Sequence, residues 1–276
     1  VTISTNLTQY GETVPVYYAT SPTTSVDNGA KDAGVYTVYA YLNDSSSVGY
    51  NANYNTLSLN TTLTITKATM WNPSDNLAGE FFFNNGTLTY DSYTHYLNVM
   101  TTNASSLSNS QTTTIDIVPS TNKSYTSDSA TIIYKYETVN DGLYPNNFVG
   151  QKNAGIYYLQ ATLSNANYNN IVLTATLTIN KYQTSATWTG IALYTYNGTD
   201  QKASITAKYQ LLAGDGGSTA SLAISYTYSE TIDGAYVSSL EFKDAGYYKL
   251  TASGWKTNYD VTNVQQTLSM AKATID

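Results

Sequence analysis

Side chains on a β-strand point alternately to its two faces, so a hydrophobic period of two marks a strand with one dry and one wet side. That period is written three times in this chain. After Gly34, the residues Tyr36, Val38, Ala40 and Leu42 share one face, and Val35, Thr37, Tyr39 and Tyr41 share the other. After Gly155 the first set becomes Tyr157, Leu159, Ala161 and Leu163; after Gly246 it is Tyr248, Leu250, Ala252 and Gly254. The opposite face collects Tyr158, Gln160 and Thr162, then Lys249, Thr251 and Ser253. The Tyr-apolar-Ala-Leu set is predicted to point inward and the other set to meet water, the wetting of an antiparallel sheet. A second strand behaves alike. "TLTITKAT", "TLTINKYQ" and "TLSMAKAT" place Leu63 with Ile65, Leu177 with Ile179, and Leu268 with Met270 on one side.

These strands belong to an internal repeat. "KDAGVYTVYAYL", "KNAGIYYLQATL" and "KDAGYYKLTASG" begin at Lys31, Lys152 and Lys243. From the motif Gly to the Tyr of "NYN" or "NYD" the step is 13 residues twice, Gly155 to Tyr168 and Gly246 to Tyr259, and 20 from Gly34 to Tyr54. The extra seven fall in the polar stretch "NDSSSVGYNAN", where a loop insertion costs least. From that Tyr to a closing Lys the step is 13 in every copy, ending at Lys67, Lys181 and Lys272. Upstream, "LTYDSYTHYL" around Tyr90 matches "YTYNGTDQKA" around Tyr196, with 15 more residues before Lys152 than before Lys243. "SNSQ" and "STNKSYTSDS" are the expected hosts of that insertion. The first copy has no such anchor and is expected to be truncated at its N-terminus. The predicted repeats are therefore 1–67 (partial), 68–181 and 182–276. Short strands, regular turn signals and no amphipathic helix predict an all-β chain: tandem small antiparallel β-sandwich, Ig-like modules arranged as beads on a string. In each "AG" turn the Gly is expected to take positive φ, and the preceding Asp or Asn to brace the turn through its side chain.

Composition narrows the function. The 276 residues include 28 Tyr against 5 Phe, in a background of Thr, Ser and Asn that suits strands and turns. There is no Cys, which removes disulfides and thiolate metal sites. Only 11% of residues are charged, Arg is absent, and the net charge is -7. Such a chain lacks the clustered cations that nucleic acid or an anionic membrane surface requires. No run of about 18 apolar residues would span a bilayer. "VTISTNLTQY" has neither a basic nor an apolar signal region, so any export signal is expected to be removed or to lie outside this sequence. The composition resembles that of secreted and surface-anchored proteins.

Four pieces together carry a family resemblance: Tyr-Asn-Gly-Thr at Tyr196–Thr199 (Tyr90 and Asp91 in the second copy), the "DAGxY" turn and strand, the "NYN" loop, and the closing "TLTITKA". The chain resembles the mostly-beta, glycine-rich (MBG-type) repeats of large bacterial surface proteins. The resemblance covers 68–181, 182–276 and the latter part of the first copy. Ser92 stands where Gly would be expected, and the third copy has "NYD" for "NYN". It implies a non-catalytic, cell-wall-associated extracellular stalk or spacer, typically of an adhesin, and carries over no catalytic residue.

The candidate chemistry is thin. His95, the one histidine, has no neighbouring nucleophile and acid, and aligns with Gln201, so a structural role is expected. "AGDGGS" at Ala213–Ser218 offers one carboxylate, too few for a calcium loop, and reads as a hairpin turn. Trp71 and Trp188 follow repeat junctions and are expected to plug the gaps between modules. Trp255, in the loop "SGWKTNYD", with Tyr259, could stack on a sugar ring. Lys67, Lys181 and Lys272 share parity with inward residues; they either snorkel outward at the strand end or form Lys–Asn isopeptide cross-links, which need a buried Lys. Seven Asn-x-Ser/Thr sequons occur, at Asn6, Asn43, Asn60, Asn85, Asn103, Asn122 and Asn197. No cofactor, metal or enzymatic activity is expected. The leading reading is a structural stalk whose partners are neighbouring repeats. The alternatives are a binding module for a host or cell-surface glycan or protein, and a filament subunit completed by strand donation.

Overall fold

The structure is a computed structural model, and it describes residues 16–19, 30–45, 49–72, 80–119 and 128–275. The expected sequons Asn6 and Asn122, part of the first insertion and most of "STNKSYTSDS" lie outside the described residues. The described chain is all-β, with short 3-10 turns at Lys202–Ser204 and Ala213–Asp215. By contacts it gathers into two compact units, one within Val1–Phe81, Thr114–Ile132 and Thr162–Val172, the other within Phe82–Thr113, Ile133–Ala161 and Leu173–Asp276.

Each predicted pair of long strands forms. In the first repeat, Gly34–Leu42 lies between Val16–Ala19 and Leu57–Ile65, antiparallel to both, with Tyr36 opposite Leu63. Val38, Ala40 and Leu42 are buried, while Val35 on the other face is 73% exposed. Leu63 and Ile65 are half-buried. The polar insertion is braced by buried Asn43, whose Nδ2 donates to the carbonyls of Asn51 and Tyr54.

The second repeat orders its strands Gly86–Thr89, Ile171–Asn180, Gly155–Ser164, Asp128–Glu137 and Thr114–Ile117. Leu159, Ala161, Leu163 and Leu177 have no exposure. The "SNSQ" stretch begins in a small ribbon, where Leu107–Ser108 pairs with Tyr96–Leu97.

The third repeat orders Tyr194–Thr195, Gln265–Ala271, Gly246–Ser253, Ala223–Ser229 and Val237–Ser239 in one sheet, and Thr187–Thr189, Thr206–Gln210 and Thr219–Ser221 in another. Ile205, Phe242, Tyr248, Leu250, Leu268 and Met270 form the core between them. Trp188 packs against this cluster and donates its indole N–H to the Asn263 carbonyl at 2.8 Å. Its role is to cover the core of its own repeat rather than to plug a gap between repeats.

The sheets depart from the expectation at their edges. Gly86–Thr89 runs parallel to Ile171–Asn180, and Tyr194–Thr195 parallel to Gln265–Ala271. A short early strand of each of these two repeats thus lies beside the closing strand and points the same way. Parallel neighbours need a long crossover, and the whole intervening repeat supplies it. Local alternation fixes which face is dry but carries no information on the direction of a distant neighbour.

Candidate functional site: the junctions between repeats

The turn before each long strand is built by its tyrosine. Tyr36, Tyr157 and Tyr248 each donate the phenol O–H to the main-chain carbonyl of the Asx that is the second residue of the motif, four residues earlier: Asp32, Asn153 and Asp244, all at 2.9 Å. This hook holds the turn against its own strand and gives the phenol, half-buried in the first copy and buried in the other two, its hydrogen-bond partner. It also explains the glycine. A Cβ on Gly34 would meet the Tyr36 ring at 3.3 Å, and one on Gly155 the Tyr157 oxygen at 3.3 Å. Only Gly246 has positive φ, at 153°. In the first two copies the glycine makes room for the hook rather than supplying a left-handed residue.

The Asx side chain therefore remains available, and the next repeat takes it. At the junction of the first and second repeats, Asn167 Oδ1 accepts from the Ala33 N–H at 2.8 Å, and Asn167 Nδ2 donates to Asp32 Oδ1 at 2.8 Å. The junction of the second and third repeats reproduces this. Asn258 Oδ1 accepts from the Ala154 N–H at 2.9 Å, and Asn258 Nδ2 donates to Asn153 Oδ1 at 2.9 Å. One amide side chain thus satisfies a turn N–H and a turn oxygen at once. The expectation that the Asx braces its own turn by its side chain is corrected: its carbonyl takes the hook, and its side chain takes the neighbour.

The linker seals each junction. Ala68, directly after Lys67, donates its N–H to the Asn167 carbonyl and accepts from the Asn169 N–H, both at 2.8 Å. Tyr182, directly after Lys181, donates to the Asn258 carbonyl at 2.9 Å and opens a parallel pairing of Tyr182–Ser185 with Tyr259–Thr262. "KDAG" at Lys31 with "NYN" at Asn167, and "KNAG" at Lys152 with "NYD" at Asn258, are each the two halves of one contact between segments far apart in sequence. Each junction lies whole within one of the two compact units.

The second junction carries an additional polar centre. Asp215 comes from the predicted hairpin "AGDGGS", which joins two antiparallel strands. Its carboxylate accepts from the Tyr259 phenol at 2.6 Å and the Tyr90 phenol at 2.7 Å, with Lys152 Nζ at 3.7 Å. Tyr259 also accepts from the Leu212 N–H at 3.0 Å. Its ring meets those of Tyr90, Tyr182 and Tyr209 edge-on, at 5.8, 5.9 and 5.5 Å. Burial, then the Asp215 carboxylate, raises the Tyr90 phenol from the ordinary 10.0 to about 12, and the same causes raise Tyr259. Burial alone would raise the Asp215 carboxyl, but donation by Tyr259 and Tyr90 and the nearby Lys152 and Lys256 hold it below the ordinary value.

The predicted site residues scatter. Tyr259, expected beside Trp255 on a sugar-stacking surface, is fully buried in this junction and cannot face a ligand. Trp255 stays half-buried in its loop. Lys67, Lys181 and Lys272 are all exposed, whereas a Lys–Asn cross-link needs a buried amine. His95 is buried and holds the Asp91 carboxylate at 2.9 Å, while its main chain exchanges two hydrogen bonds with Gln151. Gln201, its aligned residue, donates its main-chain N–H to Phe242, the residue before Lys243 as Gln151 is before Lys152. Trp71 pairs with Val118 through two main-chain hydrogen bonds. No cluster of His, Cys, Asp or Glu suited to a metal occurs among the described residues.

The residues that the sequence reading missed are Asn167, Asn258, Asp215, Tyr90 and Lys152. Asn167 and Asn258 had a signal: Asn precedes the Tyr in every copy, as the Asx precedes "AG". Asp215 had none, because it occurs once.

No family model matches the chain, and no curated protein matches it. Among solved structures it is similar to PcdhgB3 EC1-4, at 9% identity and a TM-score of 0.20 over 95% of this chain and 67% of that one. It is similar to Sidekick-1 immunoglobulin domains 1-5, at 11% identity and a TM-score of 0.25 over 94% and 52%. A third is Bacteroides ovatus SGBP-B of a mixed-linkage glucan utilization locus, in complex with a mixed-linkage heptasaccharide, at 15% identity and a TM-score of 0.16 over 94% and 60%. These similarities are weak, and neither the fold nor the function rests on them.

Proposed function

We propose that this chain is a non-catalytic stalk segment of a bacterial cell-surface protein, built of three tandem MBG-type modules at 1–67, 68–181 and 182–276, and that its work is to hold a binding element away from the cell. One observation carries the reading. Beyond the buried strand residues, the residues that recur among the repeats gather at the joints: the Asx-Ala-Gly turn, held in place by its own tyrosine hook, and the Asn of the "NY" loop. A duplicated binding site would repeat exposed reactive or stacking side chains instead. A stalk needs its recurring chemistry at the joints, where bending and pulling act.

The extracellular placement draws on the Tyr-, Thr- and Asn-rich, Cys-free composition. No helix among the described residues is long and apolar enough to cross a membrane. The glycan-binding alternative retains only Trp255 once Tyr259 is committed to the junction.

Small-angle scattering of the wild type and of the Asn167→Ala, Asn258→Ala double variant tests the reading. A stalk predicts a wider distribution of particle dimensions in the variant with unchanged strand content. A glycan array bound by the wild type and lost in Trp255→Ala, with no change of dimensions in the junction variant, would replace the stalk by a binding module.

A further inference from the structure

The third repeat presents the same half-contact that the first and second repeats use, and it is unfilled among the described residues. The Asp244-Ala245-Gly246 turn is hooked by Tyr248 as its two counterparts are. No described side chain accepts from the Ala245 N–H as Asn167 does from Ala33 and Asn258 from Ala154, although the Tyr228 phenol donates to the Ala245 carbonyl at 3.0 Å. Beside the turn lies a cleft of about 520 Å³ bordered by Thr195, Ala245, Gly246, Ala271 and Lys272.

Two further positions agree. Tyr196 occupies the place of Tyr90: its main-chain N–H donates to Ala271 at 2.9 Å as that of Tyr90 donates to Asn180 at 2.8 Å. Tyr90, covered by the third repeat, is 2% exposed, whereas Tyr196 is 39% exposed. The segment "KATI" at Lys272–Ile275 repeats "KATM" at Lys67–Met70. Met70 is fully buried where the linker enters the second repeat, whereas Ile275 is 98% exposed.

We propose that this face is an acceptor for one more module of the same repeat, joined in line through Ala273–Ile275. Its "NY" loop would place an Asn amide on the Ala245 N–H and the Asp244 side chain, pair its main chain with Ala273, cover Tyr196 and bury Ile275. Two filled copies of the contact, and an exposed linker position, Ile275, whose counterpart Met70 is buried in a filled copy, name the occupant. Shape, main-chain pairing and an amide that must both accept and donate select it; a flat apolar partner would leave the Ala245 N–H unsatisfied. The inference rests on the stalk reading and names the partner of the end face.

The test extends the full chain. Residues 71–181 are appended after Ile275 in one fusion and residues 185–276 in a second, so that Ile275 stands in the linker place of Met70 or Thr184. Amide hydrogen exchange is read at Ala245 and Ala273. The expected result is slowing at Ala245 by about 10-fold or more, as for an amide closed into a stable contact. The slowing should vanish when the appended copy of Asn167 or Asn258 is changed to Ala. Folding of the appended copy is judged from its own strand amides. A folded copy that leaves Ala245 exchanging as in the parent overturns the proposal, as does a copy that stays unfolded in both fusions. Self-association of the parent chain that Asn53→Ala abolishes would put a second copy on the face and overturn the in-line occupant. If the existing junctions loosen in the Asn167→Ala and Asn258→Ala variants while Ala245 gains no protection, the stalk reading survives and this inference does not.

Discussion

The side-chain amide of Asn258 donates to the side-chain oxygen of Asn153 at 2.9 Å, across 105 residues of sequence. Its own oxygen meanwhile holds the Ala154 N–H. Asn258→Ala leaves that half-buried N–H without its acceptor, and the expected local loss is about 1–3 kcal/mol. Hydrogen exchange at Ala154 measures it directly. A double-mutant cycle with Asn153→Ala should give a coupling of about 0.5–1.5 kcal/mol; additive effects would show that the pair is not a unit.

Asp215 gathers two buried phenols, so its removal is costlier. Asp215→Ala strips the acceptor from Tyr90 and Tyr259, and should cost about 2–3 kcal/mol of local stability. Asp215→Asn keeps an acceptor oxygen and should cost less. Chemical denaturation followed by tyrosine fluorescence ranks the two; equal losses would mean that the charge, and not the acceptor, is what matters.

The same centre sets two pH limbs. The folded Asp215 carboxyl lies below its ordinary value, so its contribution is present above about pH 4 and is lost as pH falls through the folded value. Tyr90 is displaced upward, from 10.0 to about 12. Its contribution is complete below pH 10 and disappears as pH rises toward 12, because the unfolded phenol ionises first. Thermal melts across both ranges should show both losses, and Tyr90→Phe should reduce the alkaline one without abolishing it, because burial raises Tyr134 and Tyr259 as well.

Three glycines written alike should respond differently to a methyl group. In Gly155→Ala the new Cβ sits 3.3 Å from the Tyr157 oxygen, a crowding that a small shift relieves. In Gly246→Ala it meets the Tyr228 ring at 2.6 Å and the Ser229 carbonyl at 2.8 Å, at a φ of 153° that other residues rarely adopt. The expected costs are about 1 kcal/mol for Gly155→Ala and about 3 kcal/mol for Gly246→Ala. Equal melting temperatures for the two variants would refute this account of the motif.

The exposure of Lys67, Lys181 and Lys272 carries a chemical consequence. No Lys–Asn bond should form at these positions, and the intact mass should match the 30.0 kDa of the sequence. A deficit of one ammonia or more, abolished by changing one of these lysines, would restore the cross-link.

Strand faces could be read locally because a strand's period is local. Tyr157, Leu159, Ala161 and Leu163 are inward as their alternation requires. The repeat likewise aligned Tyr90 with Tyr196 as equivalent positions, and both make the same main-chain hydrogen bond to the residue before a closing Lys. What local pattern could not supply was the direction of the edge strands or the purpose of the recurring letters. Tyr259 shows the difficulty: its neighbours "TNYD" are polar, yet it is fully buried.

The sequence by itself determined the strand faces, the repeat and the positions where loops grow, because each depends on residues a few places apart. Tertiary structure decided that the Asx-Ala-Gly turn and the Asn-Tyr loop belong to one contact, and that a hairpin's single Asp gathers two phenols around it. Those partners lie 105 residues apart for Asn153 and Asn258, and 125 for Tyr90 and Asp215. A hydrogen bond acts over about 3 Å of space, and nothing in the order of residues along a chain states which distant groups folding will bring that close.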